Sequence, residues 1–302
     1  MLKRFGSWIV LGAMLVGGSV VLMGEMDGSV SLFAAMEVWG DVIRDVDQLG
    51  LKLTRVSDQK EMEIGHDLTI NFVTESSGSS EWQPYVASVG KSLVPHVRRK
   101  GIDYEFHVIE ASWINAFAMP GGQIFITTGM LEFLKSEAEL AGILGHEVSH
   151  VDQRHCIELL QTQIAMERIG IDEIGRLVEL PRLFLAAGYK KYQELESDAA
   201  GLRLAVAAGY DPESIVSPFQ RLLDKVDEKE RRPIRQPISE IVSSLEQALG
   251  SYFDSHPPTA ERISRLAQLI SQQRRWLGSR KFYIGVENYN RRIPKSQEQF
   301  AN

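Results

Sequence analysis

The stretch His146-Glu147-Val148-Ser149-His150 indicates a chemical reaction more directly than any other part of this chain. On a helix, His146 and His150 lie one turn apart on one face, so both imidazoles can bind the same metal ion. Glu147 is rotated by about 100° from His146, which brings its carboxylate within reach of a water held at that ion. Two histidines with an adjacent carboxylate are typical of metal-dependent hydrolysis of a peptide bond.

The helix that carries this motif is predicted to begin at a capping box. Ser136 stands three residues before Glu139, the spacing at which these side chains cap a helix N-terminus. The apolar pattern continues beyond the motif and predicts a helix that extends to about Gln163. Gly142 and Gly145 lie inside it, and glycine in a helix interior typically marks the close approach of another backbone.

A catalytic zinc site needs three protein ligands and one open position, so a further ligand must come from elsewhere in the chain. One known solution is a third histidine six residues after His150, which requires a turn at Gln153. This chain has Cys156 there, and the continuing apolar pattern disfavours the turn, so we predict that Cys156 is a small buried residue. The other solution is a glutamate on a later helix. Glu194 and Asp198 are four residues apart, so one carboxylate can bind the metal while the other orients a ligand histidine.

The acidic stretch 194–198 leaves two other interpretations open. Glu196 lies on a different helix face and is the fallback ligand. A solvated acidic face is the structural alternative, but the paired histidines upstream favour a metal site. Ala199, Ala200 and Gly201 follow directly and are small enough to let two helices approach.

A small sheet is predicted immediately before the metal-binding helix. Tyr104, Phe106 and Val108 alternate with polar residues, as in a half-buried strand. A Pro-Gly-Gly turn at 120–122 separates two further extended pieces, the second of which is rich in residues that favour strands. Most other segments have helical spacing, so the predicted fold class is α+β and mostly helical, with this sheet beside the motif helix.

Composition excludes some partners. The chain has 302 residues and a net charge of −7, with no basic patch, so nucleic acid is not an expected partner. Cys156 is the only cysteine, which excludes an internal disulfide.

The N-terminus predicts export across a membrane. Lys3 and Arg4 precede an uncharged run from Phe5 to Gly24, and acidic residues follow it. We expect residues 1–24 to be a membrane anchor or a cleaved signal segment, residues 25–56 a helical neck and residues 277–302 a C-terminal tail. An anchored chain would sit in a bacterial inner membrane and face the periplasm, and a cleaved chain would be periplasmic.

The region 57–276 resembles the M48 metallopeptidases, zinc-dependent gluzincins of membranes and the bacterial envelope, and within them the Oma1/BepA type. The resemblance is carried by ordered blocks: Asn115–Gly122, the His146–His150 motif, Glu194-x-x-x-Asp198, Gly209–Pro212, and His256–Thr259 before Arg262. It implies a gluzincin-type peptidase domain at 57–276 with one zinc ion per chain.

The resemblance also implies roles for individual residues. His146, His150 and Glu194 would bind zinc, and Glu147 would be general base and then proton donor. Asp198 would lie behind the ligands, contacting His146. His256 and Arg262 are candidates for stabilising the reaction's oxyanion, and His256 is alternatively a removable fourth ligand that closes the site. The strand Asn115, Ala116, Phe117 and Ala118 is a candidate for binding the substrate backbone or is an ordinary edge strand.

Three classes of function remain after these observations. The first is a zinc endopeptidase that cleaves misfolded or damaged envelope proteins. The second is a zinc-containing chaperone or binding module without catalysis, against which the intact Glu147 argues. The third is a metal-dependent hydrolase of other substrates, which would share the same ligands.

Overall fold

The computed structural model describes residues 56–76, 80–167, 188–231, 252, 256, 260–278 and 280–295. The chain divides into two units between Arg55 and Val56, and every described residue belongs to the second unit. The predicted anchor or signal segment, and the predicted neck apart from Val56, lie outside the described residues. Within the described part, no helix is both long and apolar enough to cross a membrane.

Helices account for most of the described residues. In chain order they are α1 (Asp58–Ser76), α2 (Gln83–Leu93), α3 (Thr128–Phe133), α4 (Glu137–Asp152), α5 (His155–Glu167), α6 (Lys191–Ala207), α7 (Pro212–Arg231), α8 (Ala260–Leu277) and α9 (Val286–Arg291). The motif helix α4 is buried along its whole length and packs against α6, α7 and α2. Helix α4 is therefore the centre of the described unit.

A three-stranded sheet lies beside α4. Its strands are β1 (Glu105–Ile109), β2 (Ala116–Met119) and β3 (Gln123–Thr127), in the spatial order β1-β3-β2. β1 runs parallel to β3 and β2 runs antiparallel to it, with the Phe117 and Phe125 rings stacked across the pair at 4.9 Å. β2 packs against α4. The predicted mostly helical α+β fold, with a small sheet beside the motif helix, is confirmed for the described residues.

Helix α4 begins where the sequence predicts and ends earlier. The Ser136 hydroxyl accepts a hydrogen bond from the Glu139 backbone N–H at 3.2 Å, which confirms the predicted cap. The prediction that the helix extends to about Gln163 is wrong, because α4 ends at Asp152 and Arg154 adopts a left-handed φ of 72°. The Arg154 guanidinium donates to Asp58 at 3.0 Å and to the Val56 carbonyl at 2.6 Å. These contacts offset the cost of a left-handed non-glycine residue, about 1–2 kcal/mol.

Small residues let α4 and α6 pack with their backbones almost in contact. A Cβ added at Gly201 would lie 2.7 Å from the backbone nitrogen of His146, and one added at Gly145 would lie 3.0 Å from the Gly201 carbonyl oxygen. The distance at Gly201 is too short for a real Cβ, and the distance at Gly145 could be accommodated only by a small shift of the opposing backbone. The expected close helix approach at these glycines is confirmed, and it occurs at the first histidine of the motif.

The segment 280–295 packs on the same core, although it falls within the predicted C-terminal tail. The backbone N–H groups of Glu137 and Ala138, at the start of α4, donate to the carbonyls of Gly285 and Ile284 at 3.2 and 3.0 Å. Tyr289 is buried and its ring lies 5.2 Å from that of Trp82. This segment therefore supplies acceptors for the N-terminus of the helix that carries the motif.

Candidate metal centre

Helices α4 and α6 bring the two motif histidines and Glu194 to one point. His146 Nε2 lies 3.1 Å from His150 Nε2. The two Glu194 carboxylate oxygens lie 3.5 Å from His146 Nε2 and 3.4 Å from His150 Nε2. All three side chains are buried. The close packing at Gly201, seven residues after Glu194, is what allows a carboxylate on α6 to reach α4.

His256 joins this cluster from 62 residues beyond Glu194 and 110 residues beyond His146. Its Nδ1 lies 2.9 Å from Glu194 Oε1 and 3.3 Å from His146 Nε2. Its Nε2 faces Glu147, 3.6 Å from the nearer carboxylate oxygen. His146, His150, Glu194 and His256 each offer one ligand atom, and these atoms lie within 4.8 Å of one another. The four residues can thus hold one metal ion.

Burial and neighbouring charges act differently on the three ligand residues. At His146, burial lowers the pKa, but Asp198 and Glu194 outweigh this effect and raise the pKa to about 10. Burial lowers the pKa of His150 well below its usual value, which favours the neutral imidazole that ligates metals. Burial opposes ionisation of Glu194, but His256 and the two motif histidines outweigh it and hold its pKa well below the usual range. His150 is thereby a neutral donor and Glu194 an anionic one.

The pKa of Glu147 is shifted in the opposite direction from that of Glu194. It is fully buried, and this burial raises the pKa of its carboxyl against the opposing influence of His256 and His146. Neither of its oxygens has a hydrogen-bond partner within the described part of the chain. A buried carboxylate of raised pKa, with both oxygens available, suits a group that takes up and releases a proton at neutral pH.

Asp198 and Arg262 form a layer behind the cluster. Asp198 Oδ1 lies 3.1 Å from His146 Nδ1, the ring nitrogen that faces away from the other ligand atoms. Arg262 contacts Asp198 through Nε and Nη2, each at 2.7 Å, and reaches Glu194 through Nη1 at 2.7 Å. Burial opposes the ionisation of Asp198, but Arg262 and His146 outweigh it and lower its pKa.

Comparison with known proteins matches this geometry to a family. The family model described as Peptidase family M48 matches residues 80–270, which contain every residue of the cluster. The chain belongs to this family. M48 metallopeptidases use zinc, and the cluster offers the nitrogen and oxygen donors that zinc binds.

Curated relatives of the M48 family resemble part of the chain. It is 30% identical over 176 residues to the mitochondrial metalloendopeptidase OMA1 of Arabidopsis thaliana, covering 56% of this chain and 32% of that protein. It is 26% identical over 168 residues to the beta-barrel assembly-enhancing protease of Escherichia coli K12, covering 49% of this chain and 34% of the relative. This chain therefore spans about a third of the length of either relative.

The spacing of the donor atoms fits zinc. Donors about 2.1 Å from a tetrahedral zinc are separated from one another by about 3.4 Å. The two Nε2 atoms are 3.1 Å apart, Glu194 Oε2 lies 3.5 Å from His146 Nε2, and Glu194 Oε1 lies 3.4 Å from His150 Nε2. His256 Nδ1 supplies a fourth atom at similar separations. The residues present thus fit a zinc ion in the type and approximate spacing of their donor atoms.

Other residues singled out from the sequence lie around the cluster. Ala116, Phe117 and Ala118 are fully enclosed in β2, and the Ala118 carbonyl faces the Cys156 thiol at 3.7 Å. Asn115 precedes β2 and is buried, and its side-chain amide has no hydrogen-bond partner within the described residues. Cys156 is buried as predicted and is not among the clustered ligand atoms. The fallback ligand Glu196 is more than half exposed and is also outside the cluster.

Two residues beside the site were not predicted to contact it. His155, for which the sequence indicates no role, lies with its Nδ1 3.1 Å from His150 Nδ1. Tyr189 stacks on the His150 ring with 3.7 Å between ring centroids and has its hydroxyl 3.3 Å from the Cys156 sulfur. Both contacts depend on the break after α4 and on the tertiary approach of residues near 189. No local sequence pattern encodes either feature.

Proposed function

We propose that this chain is a zinc-dependent endopeptidase. The observation that carries the proposal is a convergent set of donors, His146, His150 and Glu194, beside a buried Glu147 whose oxygens accept no hydrogen bond from other described residues. A site that only bound zinc would have no use for a buried carboxylate without a hydrogen-bond partner next to the ion. The family membership of the chain supports the same chemistry.

In the proposed mechanism, His146, His150 and Glu194 hold the zinc ion. When bound, zinc acts as a Lewis acid that polarises the substrate carbonyl and makes water more acidic. Glu147 takes a proton from the attacking water and then donates that proton to the leaving amine. The raised pKa of Glu147 suits both steps, because such a carboxylate holds the proton more readily than an exposed one.

Asp198 and Arg262 are proposed to orient the ligands. Asp198 Oδ1 lies 3.1 Å from His146 Nδ1, so a proton on Nδ1 would face this carboxylate and leave Nε2 free for the metal. Arg262 was a candidate for stabilising the oxyanion, but three of its nitrogens contact Asp198 and Glu194. Those contacts support a positioning role instead.

His256 is proposed to close the site as a removable fourth ligand. Its Nδ1 sits among the ligand atoms, and a catalytic zinc site needs one position open to water and substrate. Its Nε2 also points toward Glu147, so a displaced His256 would remain near the reacting groups and could stabilise the oxyanion. A His256→Ala variant whose zinc affinity and activity both match those of the wild type would remove this role.

The strand Asn115–Ala118 is proposed to bind the substrate backbone. The support is Asn115, whose buried amide keeps donor and acceptor atoms that no described residue satisfies. The substrate is not expected to pair along the whole strand, because the Ala118 carbonyl already faces the Cys156 thiol. Asn115 is therefore the strongest candidate for a direct substrate contact in this stretch.

The proposed substrates are misfolded or damaged proteins of the cell envelope. The E. coli relative is named a beta-barrel assembly-enhancing protease, and the charge pattern at residues 1–27 predicts export with a membrane anchor or a signal segment. We accordingly propose the periplasmic face of a bacterial inner membrane, or the periplasm itself. The non-catalytic chaperone is the alternative, and the availability of Glu147 argues against it.

The proposal is tested with the purified full chain and an unfolded protein such as casein. We expect cleavage with bound zinc, loss of cleavage after chelation and recovery on adding one equivalent of zinc. A His150→Ala variant should neither retain zinc nor cleave. If chelated protein cleaves as fast as zinc-loaded protein, the proposed function is wrong.

A further inference from the structure

His155 is enclosed against the back of a proposed zinc ligand. It is 3% exposed, and its ring centroid lies 5.1 Å from that of His150. The two Nδ1 atoms are 3.1 Å apart, within hydrogen-bond distance. On its other side, His155 Nε2 lies 3.3 Å from Glu196 Oε2. The contacts form a continuous line from His150 through His155 to Glu196, whose side chain is 55% exposed.

The break after α4 creates this contact. In a continuous helix, residue 155 would lie about 140° around the axis from His150, because each residue adds about 100°. The left-handed Arg154 instead ends α4 and starts α5 at His155. Arg154 is held there by ion pairs to Asp58 and Glu61 on α1, at 3.0 and 3.6 Å. These ion pairs thus stabilise the left-handed conformation of Arg154, and that conformation places the His155 ring against His150.

The positions of the ring nitrogens determine which group donates. His150 Nε2 faces the other ligand atoms, while its Nδ1 faces His155. A neutral histidine that binds a metal through Nε2 carries its proton on Nδ1. His150 Nδ1–H must therefore donate to His155 Nδ1, and His155 must carry its own proton on Nε2, where Glu196 can accept it. The Ser197 hydroxyl lies 3.3 Å from His155 Nδ1, farther than His150 Nδ1 at 3.1 Å, so the closer His150 N–H takes the single lone pair of that nitrogen.

We propose that His155 is a positioning residue that fixes the tautomer and ring orientation of His150 for zinc binding. The proposal rests on the zinc site of the proposed function and deepens it. The two ligand histidines are then supported differently. His146 is oriented by the carboxylate of Asp198, and His150 by a neutral imidazole that Glu196 holds in turn.

Two variants of His155 separate hydrogen bonding from packing. His155→Phe keeps a ring but has no acceptor, whereas His155→Asn places an acceptor oxygen near the position of Nδ1. In chelator competition with the full chain, His155→Phe should bind zinc about 10–100-fold more weakly than the wild type. His155→Asn should stay closer to the wild type than to His155→Phe. Thermal unfolding of the metal-free proteins shows whether each variant is folded.

The outcomes distinguish this inference from the proposed function. Wild-type protein that fails to bind one zinc ion overturns both. If the wild type binds zinc and His155→Phe binds it equally well, only the role of His155 is overturned. Equal losses in His155→Phe and His155→Asn would show that ring packing matters and not the hydrogen bond, and would also overturn it.

A measurement on the wild type does not depend on the folding of any variant. In zinc-loaded protein labelled with ¹⁵N-histidine, His155 should be neutral with its proton on Nε2, and His150 should carry its proton on Nδ1. Hydrogen-to-nitrogen correlation spectra distinguish these tautomers. A His155 that carries its proton on Nδ1 would contradict the proposal.

Discussion

Arg262 connects two carboxylates that contact different parts of the proposed zinc site. Its guanidinium binds Asp198 through two nitrogens and Glu194 through a third, and it is 4% exposed. The planar, forked guanidinium suits this geometry, which a lysine ammonium does not reproduce. Arg262 thus stabilises two buried carboxylates in addition to positioning them at the proposed zinc site.

Replacing Arg262 by methionine should therefore destabilise the protein strongly. The variant leaves Asp198 buried with only His146 nearby, and breaking a buried pair in this way costs about 3–5 kcal/mol. We expect that loss in the free energy of unfolding, measured by urea denaturation of zinc-loaded protein. Arg265→Met, at an exposed position of the same helix, is the control and should change stability little. Equal stability of the two variants would contradict this account of Arg262.

Individual residues also show what spacing alone can predict. His146, Glu147 and His150 followed from helical geometry, and Glu194 and Asp198 from the need for a carboxylate on another helix; all five lie at or beside the cluster. His155 could not be found in this way, because its contact needs a left-handed residue and position 154 is arginine, not glycine. Tertiary ion pairs stabilise that residue, and local sequence does not reveal them.

At the scale of elements, the contact between α4 and α6 determines whether Glu194 reaches the histidines. The two helices meet at Gly145 and Gly201, where an added Cβ would overlap the opposing backbone. The atom nearest to a Cβ added at Gly201 is the backbone nitrogen of His146, the first motif histidine. The contact is therefore both a packing feature and a condition for metal binding.

A Gly201→Ala substitution should separate α4 from α6. Overpacking of this kind typically costs about 1–3 kcal/mol, and a shift of α6 would move Glu194 away from His146 and His150. We expect a lower unfolding temperature together with weaker zinc binding. Gly101→Ala is the matched control, since its added Cβ would lie 3.7 Å from the nearest atom. Zinc binding by Gly201→Ala that equals the wild type would show that this contact does not position the ligand.

Elements were predicted well where the period of apolar residues was clear. The sheet and the start of α4 followed from alternation and from a capping box, both of which act over a few residues. The end of α4 was not predicted, because the apolar pattern is continuous across the break and neither glycine nor proline marks it. The approach of α6 was predicted from small residues, since a close backbone contact tolerates few others.

At the scale of the whole molecule, the start of α4 depends on a segment near the C-terminus. Tyr289 is buried, packs with its ring tilted against Trp82 and edge-to-face against Tyr85, and donates a hydrogen bond to the Leu131 carbonyl at 2.5 Å. The same segment supplies carbonyl acceptors to the first N–H groups of α4. Residues 280–295 thus stabilise the helix that carries the motif from the opposite end of the described unit.

Truncating Tyr289 to alanine should destabilise the described unit. Removing a buried aromatic side chain costs about 3–5 kcal/mol, and the loss should appear as a lower midpoint of urea unfolding. Glu287→Ala, in the same helix with a side chain 81% exposed, is the control and should leave the midpoint nearly unchanged. A midpoint for Tyr289→Ala equal to that of the control would show that this segment is not part of the core.

Glu147 is proposed to move protons beside a zinc ion held by His146, His150 and Glu194. The most direct test compares wild type and Glu147→Gln for zinc content and for cleavage of an unfolded protein, with Glu132→Gln, at an exposed position, as the control. Since loss of general acid–base catalysis slows a reaction about 10²–10⁴-fold, Glu147→Gln should bind one zinc per chain and cleave at least about a hundredfold more slowly. Equal cleavage by zinc-loaded Glu147→Gln and wild type would contradict the account.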